Sequence, residues 1–210
     1  MTSRTPPDSA ARFIPPAADM EALRKAAAAC TACDLYKKGT QTVFGEGPPR
    51  ARLVLVGEKA GNAEDKQGRP FVGPAGMLLD RCLVSAGVVR DEAYLTNVVK
   101  HFKWEYKGKR RIHGKPTTGE IRACRPWLDA ELTLLRPHAL ICLGATAAQA
   151  LLGPAFRVST ERGRFLESPL APYVMATVHP SSILRIPDDD ARHRATDRFI
   201  DDIRKIAEVL

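Results

Sequence analysis

The chain has 210 residues, 44% of them hydrophobic, and a formal net charge of +8 at pH 7. This length supports one substantial core, and no shift in composition divides it into two comparable domains. The positive charge favours an anionic partner. Because no apolar run approaches the length of a membrane span and the N-terminus lacks a signal-peptide pattern, we expect an intracellular, cytoplasmic protein with no membrane partner.

Residues 1–18 carry several prolines and are predicted to be a disordered tail, followed by a single domain over residues 19–210. Runs of apolar, branched residues predict strands at 52–57, 93–99, 138–144 and 173–178. Helical patterns predict helices at 19–29, 76–86, 118–135, 145–152 and 190–210.

This alternation predicts a three-layer α/β/α sandwich around a central, mainly parallel, four-stranded sheet, because nearly continuous apolar strands are buried on both faces. In such sheets, ligands bind beyond the carboxyl ends of the strands. Glu58 follows the first strand, Asn97 lies near the end of the second and His179 follows the fourth. We therefore predict a pocket with an acid, an amide and an imidazole, in which the Asn97 amide suits the edge of a nucleobase.

Residues 57–76 contain several glycines and two prolines, which predict a shaped loop whose backbone amides approach a ligand closely. The loop does not match the phosphate-binding pattern Gly-x-x-x-x-Gly-Lys-Ser/Thr, which argues against a nucleotide triphosphatase. Phe71 in this loop is either a core anchor, which the burial energy of aromatic rings favours, or a stacking platform for a planar base.

The segment after the fourth strand begins with His179, which either caps the strand end or belongs to the pocket. Ile183 and Leu184, followed by Arg185, have two interpretations. They are either a wedge that enters a DNA groove and opens the base stack, or the apolar start of a helix.

Residues 107–116 combine lysines and arginines with one histidine, His113. Such a loop is predicted to contact phosphate, although a basic loop is also an ordinary solvated connection. The neighbouring Lys109, Arg110 and Arg111 are expected to lower the pKa of His113. The ring would then stay neutral near pH 7 and be able to act as an acceptor or a nucleophile.

Together these motifs resemble the uracil-DNA glycosylase superfamily, its iron-sulfur families and, within them, the uracil-DNA glycosylase X type. The resemblance covers most of the chain after residue 20. The insertion Lys109-Arg110-Arg111-Ile112-His113 is the hallmark of the X type. The other matching segments are 57–76 with its Glu64-Asp65 and Gly68 to Gly73 core, 96–100, Glu120-Ile121-x-x-Cys124-x-Pro126-x-Leu128, and His179-Pro180-Ser181.

The resemblance implies a uracil-DNA glycosylase-like fold and cleavage of the N-glycosidic bond of deoxyuridine in single- or double-stranded DNA, by a monomer. It implies that Phe71 stacks on the flipped base, Asn97 reads the pairing edge and His179 donates to the developing uracilate oxygen. Glu58 is expected to stabilise the sugar cation, and His113 to bond covalently to C1′. It also implies that Arg111 holds the basic loop, through a partner near Glu58 or through phosphate, and that Gly57 and Lys59 line the uracil site. The residues implied to contact DNA are Lys109, Arg110, Ser181, Ser182 and Arg185.

Cys30 and Cys33 have chelating spacing, and Cys124 lies near the start of a predicted helix. Related families carry a further cysteine after the Asn97 strand, where this chain has His101. The resemblance therefore implies a 4Fe-4S cluster held by Cys30, Cys33, His101 and Cys124, although zinc fits this set equally well by spacing. A disulfide between the first two cysteines is the weaker alternative inside a cell. The remaining cysteines are interpreted as buried core thiols: Cys82 and Cys142.

The chain departs from the X type at residues 57–62, where Gly-Glu-Lys-Ala-Gly-Asn replaces the common Gly-Glu-Gln-Pro-Gly-Asp. Lys59 adds a cation, Ala60 loosens a turn that proline stiffens, and Asn62 removes a carboxylate near the sugar. Because Glu58 remains, we expect activity to survive. Two alternatives stay open: a conventional multiple-turnover glycosylase in which His113 only positions phosphate, and a non-catalytic, cluster-bearing DNA-binding protein.

Overall fold

The computed structural model describes residues 9–210 of the chain. Its strands are β1 Leu53–Lys59, β2 Ala93–Val99, β3 Trp104–Lys107, β4 Arg110–His113, β5 Ala139–Leu143, β6 Phe165–Leu166 and β7 Tyr173–Thr177. Its α-helices are α1 Met20–Ala27, α2 Asn62–Gln67, α3 Pro74–Ser85, α4 Thr118–Leu135, α5 Ala145–Leu152, α6 Val158–Glu161, α7 Pro180–Leu184 and α8 Asp189–Ala207.

The central sheet has the strand order β2-β1-β5-β7-β6. The first four strands pair in parallel, and β6 pairs antiparallel with β7 at the edge. The predicted mainly parallel sheet flanked by helices is confirmed. Its predicted strand number is corrected from four to five for the described residues, because β6, only two residues long, is too short to show a hydrophobic period.

Successive residues of β1 alternate between two apolar layers. Val54 and Val56 pack in the cluster that contains Trp127 of α4, whereas Leu55 packs in the cluster that contains Phe199 of α8. Burying one such aliphatic side chain contributes about 1.5–3 kcal/mol relative to leaving it exposed. Both faces of the sheet are thereby covered by packed side chains, which leaves the strand ends for a cavity.

Helix α4 begins with a capping box. The Thr117 hydroxyl accepts a hydrogen bond from the Glu120 N–H at 3.2 Å, and the Glu120 carboxylate accepts one from the Thr117 N–H at 2.7 Å. Such caps contribute about 1 kcal/mol. The cap fixes the start of the helix that carries Cys124 and Trp127 into the core.

From Ser9 onward, the N-terminal segment has defined structure and is not the predicted disordered tail. Ala10–Phe13 form a 3-10 turn, and Ala10 is fully buried in the core beside α4. Ile14 packs against the same cluster. The prolines indicated disorder, but a few apolar side chains suffice to hold this segment on the domain. The rest of the predicted tail, residues 1–8, lies outside the described residues.

The basic segment is a β-hairpin rather than the loop that was predicted at 107–116. Strands β3 and β4 pair antiparallel, with Trp104 opposite His113 and Lys107 opposite Arg110. Gly108 in the turn has φ +61°, a left-handed conformation that glycine adopts without steric strain. The two strands are polar and largely exposed, so they lack the apolar alternation by which strands are predicted.

The predicted loop at 57–76 also contains regular structure. Strand β1 continues through Glu58 to Lys59, and α2 occupies Asn62–Gln67 before α3 begins at Pro74. Helix α2 ends at Gly68, whose φ of +73° is the left-handed cap that favours glycine. A helix of six residues is too short to produce a helical hydrophobic pattern.

A buried ion pair joins β2 to α4. The Lys100 ammonium contacts the Glu131 carboxylate, and their side chains are 1% and 0% exposed. The carboxylate also accepts hydrogen bonds from the Tyr94 hydroxyl at 2.9 Å and the Thr96 hydroxyl at 2.9 Å. The Gly45 N–H donates to it at 3.0 Å. These bonds satisfy the pair, and any change that removes one partner leaves a buried, unpaired charge.

We expect Glu131→Ala to destabilise the protein by about 3–5 kcal/mol, because Lys100 would keep its charge in the core without a partner. The urea-unfolding midpoint measures the effect. Asp201→Ala is the matched control, because Asp201 pairs with Arg204 at 2.7 Å on the exposed face of α8. That change should cost less than about 1 kcal/mol. Equal midpoints for the two variants would show that the buried pair is dispensable.

Candidate active site

A cavity of about 980 Å³ opens at the carboxyl edge of the sheet. Side chains from β1, β2, the hairpin and the loops before α3 and α7 line it. The structure brings together here most of the residues predicted from sequence to act on a base: Glu58, Phe71, Asn97, His113 and His179.

Asn97 lines the cavity, whereas Gly57, which the sequence also placed at the uracil site, lies beside Asn97 but does not itself line the cavity. They are paired residues of the adjacent strands β1 and β2. A Cβ added to Gly57 would overlap the Asn97 carboxamide oxygen and lie 2.7 Å from Cζ of Phe71. Glycine is required at position 57 because the asparagine and phenylalanine side chains occupy the space of any larger residue.

Phe71 combines the two roles that the sequence left open. It is only 5% exposed and packs with Leu55 and Leu79 in the core, yet it also borders the cavity. Its ring lies 6.2 Å from the His179 ring, with 25° between their planes. Its φ of +56° is unfavourable for a side chain with a Cβ and costs about 1–3 kcal/mol. Such strain is typical of residues held in place for a ligand.

His179 is the N-cap of α7 rather than a cap for the preceding strand end. Its Nδ1 accepts a hydrogen bond from the Ser181 N–H at 3.1 Å, which places the proton of the neutral ring on Nε2. Burial, followed by the nearby Arg185 and Lys59 side chains, lowers the pKa of His179 to about 4. The ring is therefore neutral at pH 7, with Nε2–H as its available donor.

The residues after His179 form the short helix α7. The Ser182 hydroxyl donates to the His179 carbonyl at 2.7 Å, and Arg185 donates to the Ser181 hydroxyl at 3.2 Å. Ile183 is buried, so it does not act as an exposed wedge. Leu184 is 40% exposed and is the apolar side chain that α7 presents to solvent.

Glu58 lines the cavity next to Gly57. The Thr146 hydroxyl, from the first turn of α5, donates a hydrogen bond to its Oε2. This bond orients the carboxylate. Sequence reasoning missed Thr146, because a threonine early in a helix has no local mark of a functional role.

His113 reaches the cavity from the end of β4. Its Nδ1 lies 3.2 Å from the Lys59 amine, and its ring meets the Phe102 ring edge to face at 4.8 Å. Partial burial lowers the pKa of His113, followed by the effect of Lys59. The predicted direction of the shift agrees with the structure. The largest causes are burial and Lys59 rather than the predicted Lys109, Arg110 and Arg111, and Arg185 also lowers this pKa.

Arg111 fastens the hairpin to α2. Its guanidinium donates to the Asn62 side-chain oxygen and to the Asp65 carboxylate, each at 2.8 Å. Asp65 is fully buried, and its carboxylate also accepts hydrogen bonds from the Thr40 N–H and hydroxyl at 2.7 Å. Asn62, interpreted from sequence as the loss of a catalytic carboxylate, is thus a partner of Arg111.

The sequence placed Lys109 and Arg110 in contact with DNA. Both are exposed at the tip of the hairpin, Lys109 in the turn and Arg110 at the start of β4. They do not border the cavity that contains His113. This position separates the cations at the tip from the histidine at the base of the same hairpin.

Cys124 of α4 and Cys30, after α1, are buried, and all five cysteines are free thiols. The Trp127 indole N–H donates to the Cys30 sulfur and the Lys100 amide to the Cys124 sulfur, each at 3.3 Å. Burial raises the pKa of Cys124 to about 12, and the nearby Cys33 and Cys30 add to the shift. These thiols therefore lie near one another.

His101, the predicted fourth ligand, is buried, and its Nε2 lies 3.0 Å from the Thr42 hydroxyl. Within residues 9–210, no three histidine, cysteine or acidic side chains are arranged as a metal site. Neighbouring thiols that accept N–H bonds nevertheless have the donor chemistry of an iron-sulfur centre. The predicted core thiols are buried in the two apolar clusters: Cys82 and Cys142.

The fold and the cavity define an α/β protein with a pocket that holds several polar side chains beside an aromatic ring, at the carboxyl edge of a mainly parallel sheet. Residues 44–204 match the family model of the uracil DNA glycosylase superfamily. The chain belongs to this superfamily. No helix in the described part of the chain is long and apolar enough to cross a membrane.

Several relatives are similar over most of their length. The Type-4 uracil-DNA glycosylase of Thermotoga maritima is 37% identical over 174 residues, which cover 82% of this chain and 87% of that protein. The Type-4 uracil-DNA glycosylase of Archaeoglobus fulgidus is 33% identical over 187 residues, 86% of this chain and 87% of that protein. A Type-5 uracil-DNA glycosylase of Thermus thermophilus is 34% identical over 125 residues, about half of each chain.

We expect the His179 ring to stay neutral as the pH falls from 7 toward 4, because burial disfavours its charged form. An unfolded histidine takes up a proton near pH 6.5, so this residue makes the folded state less stable as the pH falls from 6.5 to about 4. Nitrogen chemical shifts of a histidine-labelled sample report the titration. A midpoint near 6.5 would show that solvent reaches the ring.

Proposed function

We propose that this protein excises uracil from DNA and becomes covalently joined to C1′ of the resulting abasic sugar through His113. One observation carries the proposal: the hairpin holds His113 in the same cavity as Glu58, Asn97 and His179. Membership of the superfamily and the uracil-DNA glycosylase names of the relatives support the excision step. The position of His113 supports the covalent step.

The base-binding part of the cavity suits a uracil flipped out of DNA. Phe71 offers an aromatic surface, and the Asn97 amide supplies both a donor and an acceptor for the pairing edge. Uracil leaves as an anion, and the neutral His179 can donate Nε2–H to the oxygen that gains charge. Such a bond strengthens as the glycosidic bond breaks, which is what lowers the barrier.

The sugar acquires oxocarbenium character in the same step. Glu58, held by Thr146, is the carboxylate proposed to stabilise that cation. The electron pair of the C1′–N1 bond leaves with uracil, so C1′ becomes an electrophile. Whichever nucleophile already occupies the correct face captures it.

A tethered imidazole has an effective concentration that water cannot match. Because Nδ1 of His113 faces the Lys59 amine, Nε2 is the nitrogen left to attack. Its lone pair is free when Nδ1 carries the proton and donates to a neutral Lys59. Burial lowers the pKa of Lys59 in this direction, although Glu58 and Glu64 oppose the shift. The Nε2–C1′ bond is proposed to persist, so that each protein reacts once.

The DNA backbone is proposed to lie across the mouth of the cavity, between the hairpin tip and α7. The tip presents Lys109 and Arg110, and α7 presents Arg185 with Ser181 and Ser182. Exposed cations supply affinity that does not depend on sequence and weakens with salt. The net charge of +8 also favours binding to the DNA backbone.

A 4Fe-4S cluster is proposed on Cys30, Cys33, Cys124 and His101. When bound, such a cluster supplies a covalent link between the segment after α1, the end of β2 and α4. The N–H bonds to the Cys30 and Cys124 sulfurs fit this assignment, because ligating thiolates usually accept such bonds. No catalytic role for the cluster is needed in the reaction proposed.

One assay separates the proposed reaction from its alternatives. The protein is incubated with a single-stranded oligonucleotide containing uracil; one portion is run on a denaturing protein gel and another is treated with hot alkali. A shifted protein band supports the covalent reaction. Free DNA that alkali cleaves indicates a conventional multiple-turnover glycosylase, and neither product indicates a DNA-binding protein without activity.

We expect His113→Gly to release uracil without remaining attached to DNA, because water can enter the vacated position. His179→Ala should instead slow uracil release by roughly 100- to 1,000-fold, since it removes the donor to the leaving group. His193→Ala, on the exposed surface of α8, is the control and should behave like the parent. Mass spectrometry should find the sugar on the peptide with Ile112 and His113. Attachment to another residue would exclude the assignment.

We expect Asn97→Ala to cut uracil excision roughly 100-fold or more while nearly retaining affinity for DNA without uracil, because phosphate contacts supply that affinity. The double variant Lys109→Ala, Arg110→Ala should give the converse result, with weaker binding and a shallower salt dependence. Binding titrations at several salt concentrations and single-turnover excision measure the two effects. Equal loss of binding and excision in Asn97→Ala would show a structural role.

We expect the protein purified without air to be brown, with a broad visible absorption shoulder and bound iron. Cys124→Ala should lose colour and thermal stability together, because cluster binding also stabilises the fold. Cys142→Ala removes an equally buried thiol from β5 and should keep the colour. Stoichiometric zinc without iron in the anaerobic protein would contradict the cluster assignment.

A further inference from the structure

We infer that Lys59 is a second nucleophile of this site, whose amine forms an imine with the open-chain aldehyde of an abasic site and so gives the protein an abasic-site lyase activity. The inference rests on the proposed function in one respect, because excision of uracil produces such a site. A preformed abasic site supplies the substrate without the excision step.

The position of the amine carries the inference. Lys59 is the last residue of β1 and borders the cavity, with its Nζ 3.2 Å from Nδ1 of His113. The amine also lies 5.0 Å from the centre of the Phe102 ring. In residues 9–210 its polar contacts are this imidazole and the Ala60 carbonyl, so it forms no ion pair there with a carboxylate. An unpaired amine beside the residue proposed to reach C1′ is within reach of that carbon.

The surroundings favour the reactive form of the amine. Burial lowers the pKa of Lys59, and Lys103 adds to this shift, whereas Glu58 and Glu64 raise the pKa. A neutral amine has the lone pair that attack on a carbonyl requires. Arg111 and Arg185 also border the cavity, but guanidinium groups stay charged and do not form imines.

The proposed reaction needs only protons and water from solvent. The neutral Lys59 nitrogen adds to the C1′ aldehyde to give a carbinolamine, which takes up a proton from solvent and loses water to give the protonated imine. C2′ then loses a proton to solvent, its electron pair forms the C2′–C3′ double bond, and the 3′ phosphate leaves. The DNA strand is cut on the 3′ side of the site. Hydrolysis of the imine then returns the free lysine and the unsaturated aldehyde.

His113 and Lys59 would compete for one carbon but act on different species. His113 captures the cation that forms as uracil departs, whereas Lys59 needs the aldehyde of an abasic sugar that has already opened. The parent protein should therefore use Lys59 on preformed abasic sites. His113→Gly should use it also after its own excision step, because C1′ then remains free.

Trapping with borohydride tests the inference. A single-stranded oligonucleotide is converted to an abasic site beforehand by an unrelated glycosylase and incubated with the parent protein, His113→Gly, Lys59→Arg and Lys59→Gln. Borohydride reduces an imine to a stable amine. We expect a cross-linked band with the parent and His113→Gly, at least about tenfold weaker with both Lys59 variants. Samples without borohydride should show strand cleavage with the same ranking.

Lys59→Arg keeps the positive charge and most of the volume, so it separates loss of the amine from loss of charge. Peptide mapping of the trapped parent protein should find the reduced sugar on Lys59, and this result does not depend on folding of any variant. Among the described residues, Lys115 is the other lysine that borders the cavity. Undiminished trapping in Lys59→Arg, or a sugar on Lys115, would overturn the inference. Absence of a trapped band in the parent would do the same. Absence of uracil release from uracil-containing DNA would refute the proposed function instead, while leaving the trapping result intact.

Discussion

Burial of the sheet on both faces is the constraint from which the site follows. Residues such as Val54 and Leu55 point to opposite apolar layers, and neither layer can accept an unpaired polar group without a penalty of several kcal/mol. Functional side chains are therefore restricted to the ends of the strands. Parallel pairing brings these ends to one edge, where Gly57 of β1 stands beside Asn97 of β2.

The hairpin adds His113 to the cavity at the edge of the sheet. His113 lies on a short, polar β-ribbon that has little core of its own, and an isolated hairpin is at best marginally stable in water. Arg111 compensates by bonding to the buried Asp65 and by lying over the Phe102 and Trp104 rings at 5.3 and 5.2 Å. The position of His113, the proposed nucleophile, thus depends on Arg111 and its bond to Asp65 of α2.

Part of the positive charge around the cavity is paired with carboxylates or lies away from the sugar site. A positively charged pocket would repel an oxocarbenium ion, yet DNA binding requires positive charge. The ion pair with Asp65 compensates Arg111. Lys109 and Arg110 lie at the hairpin tip, and burial favours the neutral forms of His179 and Lys59. The cations of the hairpin tip are thus separated from the groups that face the sugar, whereas Arg185 borders the cavity.

The parallel sheet, the long helices and the polar residues at the strand ends follow from the sequence, because hydrophobic period and the alternation of strands and helices are patterns along the chain. Helix α4 was predicted at its observed bounds, and Glu58, Asn97 and His179 were predicted to share one edge. The tertiary structure alone decided that residues 104–113 form a hairpin, that Asn62 and Asp65 bind Arg111, and that Lys59 meets His113. The Arg111 and Lys59 contacts join side chains more than 40 positions apart, so no local pattern records them. The hairpin joins neighbouring residues, but its strands are polar and lack apolar alternation.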